Sequence, residues 1–106
     1  MSASPAADVV LEPIYVIEAT YAPDAAETRA PVRPQHLARL ARLRDEGIVI
    51  EAGGFADVSK SLILVRVASE DEALAIARDD VYMKQGVWVE VRAKPFGRVV
   101  RPAELR

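Results

Sequence analysis

Apolar and polar positions change period several times along this chain, and each change marks an element. The run IYVIEATY, from Ile14 to Tyr21, is rich in β-branched and aromatic residues that fit a pleated surface, and it predicts a strand. Ile14 and Val16 alternate with Tyr15 and Ile17, so both faces of that strand begin apolar, as in a sheet with helices on one side and other cover opposite. Ala22 to Val32, with Pro23 and Pro31 among small and charged residues, reads as a loop. A helix follows, with Pro34 at its first position, where the missing N–H is not needed, and Gly47 just past its end. Leu37, Leu40, Ala41 and Leu43 make its apolar stripe, and Gln35, Arg39, Arg42 and Glu46 the opposite polar one.

Ile48, Val49 and Ile50 start a short strand that stops near Gly53 and Gly54, and SLILVRVA, from Ser61 to Ala68, predicts its antiparallel partner. Ser69 followed three residues later by Glu72 is a capping box, since hydroxyl and carboxylate can each satisfy an orphan backbone N–H at a helix start. That helix should run to about Arg78 with Ala73, Ile76 and Ala77 inward, and the same rotation brings Asp80 to the inner side. After Gly86, VWVEVRA predicts a last strand whose dry face is Val87, Val89 and Val91, opposed to Trp88, Glu90 and Arg92.

The order βαββαβ is the split βαβ, or ferredoxin-like, arrangement: an α+β fold with a four-stranded antiparallel sheet and both helices on one face. Residues 1–12 are expected as a flexible arm, 13–98 as the folded domain and 99–106 as a tail. The other sheet face would leave Ile, Val and Leu in water at about 1.5–3 kcal/mol per large side chain, so a second copy of the chain is its natural cover.

Composition narrows the chemistry. With 106 residues the chain can bury about two-thirds of its unfolded surface in a single core. It has no cysteine and one histidine, which excludes disulfides, thiolate metal sites and multi-histidine centres. The net charge of −2 argues against a nucleic-acid partner, which calls for a basic excess. No run approaches the roughly 18 apolar residues of a membrane span, and the start lacks a secretory signal, so a cytoplasmic protein is expected. No cofactor fingerprint is present; Gly53 and Gly54 lack the rest of a phosphate loop and read as a turn or bulge.

His36 falls in the first turn of its helix and points the same way as Leu40 and Leu43, at the border of the buried stripe. The helix N-terminus and Arg33 one turn earlier disfavour an imidazolium there unless a carboxylate approaches. His36 either packs at the helix start or serves as a general base. Asp80, at a helix end, meets the unfavourable pole of the dipole and wants a compensating partner. With both helices on one sheet face, the start of the first and the end of the second can meet. A His–Asp contact would then orient one ring nitrogen for proton transfer. Arg33 could hold a carboxylate or phenolate near His36, Tyr15 and Ser61 could line a cleft, and Tyr82 and Trp88 could stack on an aromatic ligand.

The stretches RPQHLARLARLRDEGIVIEAGGFAD and SLILVRVASEDEALAIARDDVYMKQGVWVEVRAKPF make the chain resemble the YciI-like, or YCII-related, domain family across nearly all of residues 14 to 96. The matching pieces are Arg33 with His36, the Gly47 turn, Ala52-Gly53 before Phe55, Asp80 opening DVYMKQGV, and Pro95-Phe96. The resemblance implies a dimeric α+β barrel of ferredoxin-like subunits with a His–Asp pair, here His36 and Asp80, as active site. Two departures loosen the backbone nearby: Val81 and Gly54 stand where the family usually has proline. Dimeric α+β barrels include muconolactone isomerases and cofactor-free monooxygenases. A small cofactor-independent isomerase or lyase acting on an organic acid or ring metabolite therefore fits. The alternative is a non-catalytic dimeric module that binds a metabolite or a protein, since such domains also occur joined to transcription factors.

Overall fold

The computed structural model describes residues 8–105. Strand β1 (Val10–Tyr21) leads through a short helix α1 (Ala25–Thr28) to helix α2 (Arg33–Asp45). Strands β2 (Val49–Gly54) and β3 (Lys60–Val65) form a hairpin, followed by helix α3 (Glu70–Arg78), a single-turn helix α4 (Val81–Lys84) and strand β4 (Trp88–Val100). A 3-10 turn covers Pro102–Glu104. The sheet order is β2-β3-β1-β4 with every pair antiparallel, the ferredoxin-like arrangement that the element order implied.

Alternation sorts the strand residues between the two faces. Ile17, Ala19 and Tyr21 of β1 and Ile63 and Val65 of β3 point to the helical side and join Leu43, Ala73, Ala77, Tyr82 and Trp88 in one core. Val16, Leu62 and Leu64 point away and lie outside that cluster, half-buried, beside the Glu18–Lys94 pair at 3.2 Å. Among the described residues no helix covers that side.

The capping box at α3 forms with a one-residue offset. Ser69 Oγ accepts from Glu72 N–H at 3.1 Å, while the Glu72 carboxylate reaches back to the N–H of Ala68, also at 3.1 Å. Gly47, at φ +80, and Gly86, at φ +74, turn the chain out of α2 and α4 in the left-handed region that glycine tolerates.

Several boundaries and faces differ from the sequence reading. Residues 10–12 and 99–100, expected in the arm and the tail, pair with each other as an extension of β1 and β4, from Val10↔Val100 to Glu12↔Arg98. Glu12 holds that ribbon together by accepting from Arg66 and, at 3.0 Å, from Arg98. Residues 1–7 of the expected arm, and residue 106, lie outside the described residues. The expected 22–32 loop contains α1. Helix α2 starts at Arg33, with Pro34 second, and its buried line is His36, Leu40 and Leu43, whereas Leu37 is 47% exposed and Ala41 also faces solvent. Val89 is exposed too. The β1–β4 register slips opposite Thr20 and Tyr21, and this bulge moves Trp88, not Val89, to the side of Val91 and Ala93.

Candidate functional site

The first turn of α2 and the α3–α4 junction meet over the helical face of the sheet. His36 is the fourth residue of α2, and its ring turns inward because α2 lays its Leu40–Leu43 side on the core. Asp80 follows α3 and is the N-cap of α4, in extended conformation at φ −75 and ψ 143. Its carboxylate accepts from the Tyr82 N–H at 2.9 Å, the bond that starts α4. The expected clash of Asp80 with a helix C-terminus is thereby relieved, since the residue also opens the next helix.

The two side chains meet inside the protein. His36 Nδ1 lies 2.7 Å from Asp80 Oδ1, with His36 4% and Asp80 1% exposed. Burial opposes ionisation of Asp80. The hydrogen bonds from His36 and from the Tyr82 N–H, with the Arg39 guanidinium, outweigh it and hold the carboxyl below the usual aspartate range. The ionised carboxylate makes Nδ1 the protonated nitrogen of the neutral ring and leaves Nε2 for the cleft that His36 lines.

Aromatic rings fix the imidazole from two further directions. Tyr82 stacks on it with centroids 3.7 Å apart and planes 8° from parallel. Trp88 meets both rings edge-on, at 5.4 Å from His36 and 5.5 Å from Tyr82. Burial pushes the Tyr82 phenol up and Tyr21 adds to this, while Arg29 and Arg33 pull the other way; the phenol stays protonated at neutral pH.

Arg39 is a part of this site that the sequence reading put on the solvated stripe of α2. Its Nη1 donates to Asp80 Oδ2 at 3.1 Å and to the Ile76 carbonyl, in the last turns of α3, at 3.0 Å. It therefore steadies both the carboxylate and the helix that presents it. The available signal was spacing: Arg39 stands three residues after His36, on the same side of α2.

A cleft of about 310 Å³ opens beside the imidazole. Arg33 and Ser61 line it with His36, as do Tyr21 and Tyr82. The β2–β3 loop closes one side with Phe55 and with Val58, which is held at φ 58, a strained setting for a β-branched residue. Tyr15 is not part of it. It pairs with Val65 and Pro95, six residues or about 20 Å along β1 from Tyr21, and lines an apolar hollow with Ile14 and Phe96 at the other end of the sheet. Trp88 is enclosed rather than presented to the cleft, so it supports the ring from behind instead of stacking on a ligand. Among the described residues no three His, Cys, Asp or Glu side chains cluster as a metal ion would require.

The model of the YCII-related domain family matches residues 14–97. Protein YciI of Escherichia coli O6:H1 is 38% identical over 96 residues, which cover 81% of this chain and 98% of that protein. An uncharacterized protein of Haemophilus influenzae is 34% identical over 95 residues, covering 80% of this chain and 97% of its own. A solved structure of 5-chloro-2-hydroxyhydroquinone dehydrochlorinase (TftG) from Burkholderia phenoliruptrix AC1100, in complex with 2,5-dihydroxybenzoquinone, superposes with a TM-score of 0.64. It covers 76% of this chain and 90% of that one at 20% identity, so the likeness concerns the fold alone.

Proposed function

This chain belongs to the YCII-related domain family, and from that premise we propose that it is a small enzyme in which His36 moves a proton on an organic acid or ring metabolite. The observation that carries the proposal is the 2.7 Å bond from His36 Nδ1 to a buried, ionised Asp80, at the wall of a cleft. In this reading Nε2 takes a proton from the substrate, and Asp80 stabilises the imidazolium that forms. Returning the proton to another atom completes an isomerisation; departure of a leaving group from the neighbouring atom completes an elimination. An imidazole suffices for either, so the reaction calls for no cofactor. The dehydrochlorinase that shares the fold carries out, by its name, a loss of hydrogen chloride, a reaction of the second kind.

The test is proton exchange. A panel of small carboxylic acids and hydroxylated rings is incubated with the protein in heavy water and followed by proton NMR. The expected result is exchange or conversion of at least one compound, slowed by roughly 10²–10⁴ in His36→Gln. Full activity in His36→Gln would overturn the proposal; binding without exchange would leave a metabolite-binding module.

The same reading pairs the chain with a second copy through its helix-free sheet face, within the cytoplasm. Val16, Leu62 and Leu64, apolar and turned away from the chain's own core, support that pairing. Light scattering at micromolar concentration should give twice the 11.6 kDa of one chain; a species of 11.6 kDa alone would reject the dimer.

A further inference from the structure

The cleft beside His36 is electrostatically one-sided. Arg29 and Arg33 line it, and no carboxylate does. Most basic side chains elsewhere are ion-paired, Arg39, Arg66 and Lys94 among them, but among the described residues Arg29 and Arg33 have no acidic partner. Arg29 is half-buried, with its guanidinium carbon 5.8 Å from the Tyr21 ring centroid, so the ring holds its charge beside the cleft. Arg33 opens α2, where the helix N-terminus adds positive potential. Two unneutralised guanidiniums at one concavity fit a carboxylate or phenolate better than water, because their fixed donor geometry matches an oxyanion.

A second polar position lies deeper. Tyr21 Oη and Ser61 Oγ, both on buried residues lining the cleft, are 3.2 Å apart. Two hydroxyls carry two protons, and one is spent between them. One O–H donor is left for an oxygen of the ligand. Space in front of the pair exists because residue 54 is glycine: a Cβ there would sit 3.4 Å from Ser61 Oγ and 3.5 Å from Tyr21 Oη, covering both without a clash. The volume of about 310 Å³ is at the small end of the range of about 300–1,000 Å³ for ligand sites, room for one substituted ring.

We propose that this cleft selects a small planar monoanion, with its charged group at Arg29 and Arg33, a second oxygen at the Tyr21–Ser61 hydroxyl pair, and Gly54 keeping that second position open. The inference rests on the reading of this cleft as the substrate site, and binding tests it without requiring turnover. Calorimetric titrations of 3- and 4-hydroxybenzoate, benzoate and the two hydroxybenzamides serve as probes. At least one hydroxybenzoate should bind tenfold or more tightly than its amide, and the Arg29→Gln/Arg33→Gln double variant should lose that preference. Gly54→Ala, whose backbone suits alanine, should bring hydroxybenzoate down to the affinity of benzoate and leave benzoate itself unchanged, with an unaltered melting curve showing that the fold is intact. Equal binding of acids and amides, or no binding by any probe, overturns the inference. Charge-selective binding with no proton exchange in any compound would end the proton-transfer reading alone, and exchange restricted to neutral compounds would end only this one.

Discussion

Asp80→Asn should lower the stability of the protein by about 3 kcal/mol, because it removes the only negative charge from a buried cluster and leaves Arg39, whose side chain is 17% exposed, with only the solvent-exposed Asp79 at 3.8 Å. For a domain of this size that is a fall in melting temperature of roughly 10–20 °C. The asparagine can still accept from the Tyr82 N–H, so α4 keeps its cap and the loss reports the charge. Its neutral amide no longer stabilises the imidazolium that forms when Nε2 takes a proton. Any activity that depends on Nε2 should therefore drop by about 10² or more even where the variant is fully folded.

The same variant carries a pH signature with a definite sign. The Asp80 carboxyl titrates lower in the folded protein than in the unfolded chain. Its contribution is therefore complete above the ordinary aspartate range and disappears as pH falls through the lowered, folded value. Glu12, Glu18, Asp57 and Asp79 are also lowered, but they remain in both proteins. The stability gap between parent and Asp80→Asn should be widest near neutrality and should close in acid. Urea unfolding from pH 7 down to pH 3 measures it, and a gap independent of pH would show that Asp80 is not held as an anion.

Trp88→Ala should be the most damaging single change, at about 3–5 kcal/mol, a large part of the 5–15 kcal/mol that holds a typical domain. Trp88 is 1% exposed and touches both members of the His36–Tyr82 stack, so the cavity would open directly behind the imidazole. Trp88→Phe should cost less than half as much. It keeps most of the buried area and removes an indole N–H that is buried with no hydrogen-bond partner, itself worth about 1–3 kcal/mol in lost solvation. Chemical denaturation followed by far-UV circular dichroism compares the three proteins. As the chain has one tryptophan, tryptophan emission of the parent protein reports on the packing of Trp88 against His36 and Tyr82.

The fold was legible where local patterns agree with the tertiary structure. The β-branched runs, the Ser69–Glu72 cap and the Gly47 exit all describe interactions within a few residues, and these formed. The meeting of His36 and Asp80 was legible for a topological reason: in a βαββαβ chain both helices lie on one face, and Asp80 shares the inward direction of Ala73 and Ala77. What escaped depends on pairing across the sheet or on doubled roles. The bulge that turns Trp88 inward comes from the β1–β4 register, which no local run encodes. Tyr15, like Ser61, begins a predicted strand, but the antiparallel pairing of β1 and β3 puts those two strand starts at opposite ends of the sheet, and only Ser61 reaches the cleft. Arg39 falls on the polar stripe of α2 when the apolar line is drawn through Leu37 and Ala41, but those two residues face solvent. The aliphatic stem of Arg39 let it lie along α2 and deliver its charge inward.

The support of the imidazole is concentrated in chain terms. The heptapeptide from Ile76 to Tyr82 contains the carbonyl that anchors Arg39, the carboxylate that binds Nδ1, the amide that fixes that carboxylate, and the ring beneath the imidazole. Only His36 and Arg39, one turn apart on α2, and Trp88 come from elsewhere. A designer grafting this arrangement onto another scaffold would thus transplant one continuous cassette and ask of the host a single helix at the right height, with an indole behind it.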